Sequence, residues 1–145
     1  MFQNILVPVD GSPTGLVAVE KAIGLAKAFG SAITLAHVID PYPYIGVGAD
    51  YALGQNEYMA AATSGANLAL SSAEAPVLAA GLPCQRRVVD GHVVEDGILS
   101  MVADLHIDLV VMGSHGRHGI EKLLLGSVTQ RVLSHINVPV LVVRG

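Results

Sequence analysis

The residues with the most chemical promise follow one apolar run late in the chain. They read Gly113-Ser114-His115-Gly116-Arg117-His118-Gly119, then Gly126-Ser127-Val128 where a helix is expected to begin. Gly113 and Gly116 are expected to turn the backbone with positive φ and to approach a ligand with no Cβ in the way. A helix start at Gly126, Ser127 and Val128 offers unpaired N–H groups and the positive end of a helix dipole, which favour phosphate oxygens. Ser127 adds a hydroxyl able to bond a phosphate or approach a metal. Of the eight Lys and Arg residues, Arg117, Lys122 and Arg131 lie in this region, so a chain of formal net charge −4 carries a locally cationic corner. The chemistry this implies is phosphate binding. Glycine-rich loops also serve simply to turn a chain, so the glycines alone do not decide it.

Other chemistries fit less well. Ser114, His115 and Asp10 contain the side chains of a hydrolase triad, but a nucleophile elbow needs G-x-S-x-G, and Ser114 follows Gly113 directly with His115 as its neighbour. His115 and His118 lack a third ligand at a defined spacing and any supporting Cys. His37 lies inside a strand pattern and reads as a satisfied core or edge histidine; Asp90-x-His92 reads as a turn. Neither G-x-x-x-x-G-K-[ST] nor a G-x-G-x-x-G after the first strand is present. A phosphoacceptor receiver would want paired acids after the first strand and a Lys after the fifth, and Gly11 follows Asp10. A flavodoxin-like FMN carrier is the nearer rival, weakened by the absence of Trp and an aromatic content of 4%.

The elements that must position these residues follow from composition and periodicity. With 145 residues the chain reads as a single domain, 1–145. Apolar residues make up 52% and charged residues 14%, which excludes a disordered chain. No stretch reaches the roughly 18 to 20 uninterrupted apolar residues of a membrane span, so no membrane partner is expected. High apolar content without a span calls for a sheet covered on both faces. Five β-branched runs supply it: Ile5 to Val9, Ala32 to Val38, Gln85 to Val89, Asp108 to Met112 and Val138 to Val143. The first, fourth and fifth are apolar at nearly every position, as in strands buried on both sides.

Helical patterns lie between them. Leu16, Val19, Ile23 and Ala26 share one stripe, with Ser12 as N-cap, Pro13 at the first helical position and Gly30 as the stop. A long Ala-rich helix is expected from about Leu53 to Ala80, its end ragged because Pro76 interrupts it. Val94, Ile98, Met101, Val102 and Leu105 mark a third helix, and Val128, Val132 and Ile136 a fourth. Asp40 to Gly54, rich in Pro, Gly and Tyr, reads as a mobile surface loop of functional length. Strands alternating with helices predict an α/β fold with a parallel sheet and helices on both faces. Ligands in such sheets bind beyond the carboxyl ends of the strands, here Asp10-Gly11-Ser12, Val38-Ile39-Asp40, Asp90-Gly91-His92 and the Gly113 loop.

Net charge gives no electrostatic footprint for nucleic acid. Cys84 is alone, which excludes an intrachain disulfide and a Cys-based zinc site. No basic leader precedes the first apolar run, so the expected setting is a reducing cytoplasm.

The spacing Gly113, two residues, Gly116, nine residues, Gly126-Ser127 matches the G-2x-G-9x-G-(S/T) pattern of nucleotide-binding universal stress proteins. The opening Ile5-Leu-Val-Pro-Val-Asp-Gly-Ser12 and the closing Val138-Pro-Val-Leu-Val-Val143 also resemble that family. The resemblance implies an open five-stranded, Rossmann-like sheet (adenine nucleotide alpha hydrolase-like) in the order 3-2-1-4-5. It also implies a site for ATP, AMP or ADP. In that pattern Asp10 and the Val38 backbone resemble the adenosine contacts. Gly113, His115 and Gly116 resemble the loop along ribose and the first phosphates. Gly126, Ser127 and Val128 resemble the helix start that holds the outer phosphates, with Mg²⁺ or Mn²⁺ between them; Ser12 and Arg117 lie nearby.

The C-terminal strand, if an edge, exposes unpaired backbone groups, and pairing with a second copy would cover them. The resemblance implies the same homodimer through Val138–Val143. An ATP-binding stress-response sensor or regulator is expected ahead of a slow ATPase or phosphotransfer enzyme, because no general base is evident for in-line attack by water.

Overall fold

The computed structural model describes residues 1–41, 46–90, 92–116 and 124–145. Five strands run β1 (Asn4–Pro8), β2 (Ala32–Val38), β3 (Cys84–Val89), β4 (Leu109–Gly113) and β5 (Val140–Val143). Four helices alternate with them: α1 (Pro13–Phe29), α2 (Ala49–Ala79), α3 (Val94–Asp104) and α4 (Ser127–His135). All strand pairs are parallel and the order is β3-β2-β1-β4-β5. The expected topology is therefore the observed one, and its reversal point lies between β1 and β4.

The two-residue period of the strands divides the core into two layers. Ile5, Val7, Ile33, Leu35, Leu109 and Val111 face α1 and α2, while Leu6, Ala36, Val38, Val110 and Met112 pack with Ile98 and Met101 of α3 and Val132 of α4. The strands buried along their length are β1, β2 and β4. The apolar β5 is an edge with Leu141 39% exposed, whereas β2, with Thr34 and His37 in its run, is buried from Ile33 onward. An unbroken apolar run thus did not distinguish centre from edge.

α1 is bounded as its sequence predicts. The Ser12 hydroxyl accepts a hydrogen bond from the Gly15 N–H, and Gly30 closes the helix in the left-handed conformation at φ 71. Its buried stripe is Gly15, Ala18, Val19, Ala22 and Ala26, so Leu16 lies outside it, 39% exposed. Small residues face the sheet because the helix packs close to it.

α2 departs further from expectation. It begins at Ala49, so the tail of the predicted loop is helical; residues 42–45 lie outside the described residues. Pro76 does not end it. Proline removes one N–H in the last turns, and three more residues follow before the Leu82 N–H returns to the Val77 carbonyl at 3.3 Å and the Gly81 N–H to Leu78 at 2.9 Å. That pair of bonds with Gly81 at φ 72 is a Schellman stop, which Gly81 supplies and Pro76 does not.

Candidate functional site

A cavity of about 620 Å³ opens above the carboxyl ends of β1, β2 and β4, a size usual for small-molecule sites. Asp10, Ser12, Val38, Gly113, His115, Gly116, Gly126, Ser127 and Val128 all line it. The tenth expected site residue, Arg117, lies outside the described residues, as do His118 and Lys122.

One wall begins at the β1 exit. The Asp10 carboxylate accepts the Ser12 N–H through Oδ1 at 2.9 Å, while the Ser12 oxygen caps α1 at 3.2 Å from the Gly15 nitrogen. Ser12 is thus first a capping residue, with its O–H and one remaining lone pair left for other partners. The opposite wall is the segment after β4, and three bonds hold it. The Ser114 N–H donates to the Val143 carbonyl at 2.7 Å, and the Gly126 N–H to the Ser114 carbonyl at 2.6 Å. The buried Thr129 hydroxyl donates to the Gly113 carbonyl at 3.0 Å. Together they bring the start of α4 back over the end of β4.

The helix start differs from expectation in one respect. The Gly126 amide is taken by Ser114, leaving the Ser127, Val128 and Thr129 amides as the first of the helix, with no side chain capping them. The glycines also act differently from the way predicted. Neither Gly113 nor Gly116 adopts a left-handed φ. What excludes a side chain is space: a Cβ on Gly116 would lie 2.6 Å from Asp10 Oδ2, and one on Gly113 2.8 Å from Thr14 Cγ2. Gly126 is tight against backbone, 3.2 Å from the Ser114 carbonyl oxygen.

His115 donates or accepts through Nδ1 with the Ser114 hydroxyl at 3.0 Å, and its Nε2 is buried without a partner among the described residues. Of the expected cationic corner, Arg131 is paired with Glu95 of α3 at 3.7 Å. Residues that the sequence did not flag complete the cavity. Tyr58 of α2 reaches it and donates its hydroxyl to the Asp40 carbonyl at 2.8 Å. Val94 and Ile98 of α3 form apolar lining, and α3 comes this close because a Cβ at Gly97 would lie 2.8 Å from Val38 Cγ1. Glycine at 97 inside a helical pattern was the one available signal for that approach.

An open parallel sheet in this order, with a glycine-walled cavity at its reversal point, defines a doubly wound α/β fold with a cavity where such sheets hold their ligands. The chain belongs to the universal stress protein family, whose model matches residues 1–144. The universal stress protein MJ0531 of Methanocaldococcus jannaschii is 31% identical over 145 residues, covering 99% of this chain and 83% of that protein. Universal stress protein UspA from Lactobacillus plantarum superposes with a TM-score of 0.87 at 26% identity, covering 99% of this chain and 98% of the other. A universal stress protein solved in complex with cAMP gives a TM-score of 0.71 at 28% identity, covering 97% and 96%.

Proposed function

We propose that this chain binds an adenine nucleotide, ATP before AMP or ADP, and acts as a nucleotide-dependent regulator or sensor in a stress response. The observation that carries the reading is the uncapped start of α4 facing the Asp10 exit of β1 across one cavity, with Gly116 between them too close to Asp10 to bear a side chain. Amides at a helix start favour phosphate, and the apolar lining from Val94 and Ile98 suits a purine face. A family member solved with cAMP supports the nucleotide class.

Among the described residues no cluster of three His, Cys, Asp or Glu side chains could hold a metal. The donor set fits an ion carried mainly by phosphate oxygens, the usual mode for Mg²⁺, with the Ser127 hydroxyl at the start of α4 as a protein ligand; Mn²⁺ would ride the same way. Such an ion would neutralise phosphate charge beside Asp10. The same reading extends to a homodimer paired through the β5 edge.

Calorimetry and thermal melting with millimolar ATP and magnesium test the binding. Measurable heat together with a raised midpoint is expected, and the absence of both refutes the reading. Acid denaturation of protein purified without added nucleotide would identify any adenine compound carried along.

A further inference from the structure

β1 and β2 pair as far as Pro8 and Ala36, and the Val9 N–H still donates to the Ala36 carbonyl at 2.8 Å. One more step of a parallel ladder would place the Val38 N–H on the Val9 carbonyl. That bond is not made among the described residues. The His37 side chain takes its place, with Nδ1 at 2.8 Å from the Val9 oxygen. A carbonyl only accepts, so Nδ1 carries the hydrogen and the imidazole is held in one tautomer.

The consequence falls on Val38. The neighbouring Ile39 N–H turns the other way, to Val89 at 2.7 Å, so alternation points the Val38 main-chain groups toward β1. There β1 has ended and the cavity begins, with Val38 in its lining. Val38 is only 9% exposed, and buried main-chain groups without partners are rare. A side chain has displaced a ladder bond at the point where a ligand would sit.

We infer that His37 is a positioning residue for the base: by occupying the Val9 carbonyl it keeps the Val38 N–H and C=O free as a donor–acceptor pair that selects 6-aminopurines. This rests on the adenine-nucleotide reading. The pairing edge of adenine offers an acceptor at N1 and a donor at its 6-amino group, matching a main-chain donor beside an acceptor. A 6-oxopurine reverses both, with N1–H donating and O6 accepting, so each contact becomes like facing like. Sites that leave buried polar groups unpaired reject a ligand strongly.

Two measurements test this, amide hydrogen exchange at Val38 and the affinity ratio of ATP to inosine triphosphate, each with magnesium. In the unchanged chain the Val38 amide exchanges fast without nucleotide and slows with ATP, and ATP is preferred at least tenfold. His37→Val frees the Val9 carbonyl to accept the Val38 N–H. It protects that amide without nucleotide, leaves the melting midpoint in place, weakens ATP about tenfold and draws the ratio toward one. His37→Asn, whose amide nitrogen replaces Nδ1, restores the ratio. A Val38 amide already protected in the unchanged chain overturns the inference, even should His37→Val not fold. So does an unaltered ratio in His37→Val, and in both cases ATP binding still stands. Failure of the unchanged chain to bind either nucleotide removes the functional reading itself, and the inference with it.

Discussion

Gly116 lies against the Asp10 carboxylate with no space for a methyl group: a β-carbon there would meet Oδ2 at 2.6 Å. The carboxylate cannot swing aside freely, because Oδ1 holds the Ser12 N–H at 2.9 Å. Gly116→Ala should therefore disturb the site more than the fold. ATP affinity is expected to fall at least tenfold while unfolding free energy changes by less than about 1 kcal/mol. Calorimetry paired with urea denaturation reads both, and an equal loss in each would make Gly116 a folding residue.

Gly113 makes a different contact, with Thr14 in the first turn of α1, at 2.8 Å from Cγ2 and 3.3 Å from Cβ. Overpacking at such a junction costs about 1–3 kcal/mol. Gly113→Ala should lose that much stability, and adding Thr14→Ser, which removes Cγ2, should recover part of it. A double-mutant cycle in urea measures the coupling; strict additivity would show that the two residues do not press on one another.

The start of α4 separates structural from ligand chemistry by sign. A carboxylate at the first helical position favours the helix by about 0.3–1 kcal/mol. Ser127→Glu should thus hold or raise the melting midpoint of the nucleotide-free protein, yet weaken ATP at least tenfold by meeting its phosphates with like charge. Loss of both properties would argue that the segment serves only to fold.

Cys84 opens β3 beside the Arg86–Glu74 pair, whose side chains meet at 3.2 Å. Burial first, and the Glu74 charge second, push its thiol above the ordinary value of 9.0, with Arg86 pulling the other way. The folded chain holds this proton more tightly than the unfolded one. The resulting stability is complete below 9.0 and is lost as the pH rises through the raised value. Alkylation by iodoacetamide at neutral pH should be slower than for free cysteine, and Glu74→Gln should quicken it. A rate matching free cysteine would contradict the raised value.

The proposed dimer makes its own demand. Leu141 is the exposed residue of β5, whereas Val140 packs on the α3 and α4 layer. Leu141→Glu should give a monomer by sedimentation with the melting transition intact. An unchanged sedimentation coefficient would place any self-association elsewhere.

Much of this was legible before the structure. Ser12 and Gly30 bounded α1 because capping is local chemistry, and the spaced Gly113, Gly116 and Gly126 all lie on the cavity wall that follows β4. Tyr58, Val94 and Ile98 escaped notice because their place in the site is set by how helices lie over strands, which no local pattern records. The glycines were found for partly the wrong reason. Sequence shows that a side chain is missing; only the position of Asp10 and Thr14 shows that the reason is crowding and not a left-handed turn. The end expected near Ala80 was close to the observed Ala79, because a proline near a helix end removes one bond without forbidding the remaining turn, and the stop itself is supplied by Gly81.

α2 is divided along its length. Its buried residues are Ala66, Ala69, Leu70, Ala73 and Val77, and none precedes Ala66. The leading half, which brings Tyr58 to the cavity, has no core of its own to rest on. A stretch with so few buried apolar residues opens locally at low cost. Whatever fills the cavity gives it a surface to settle against, so occupancy would be announced to the outside as the stiffening of an arm, while the sheet beneath stays as it was.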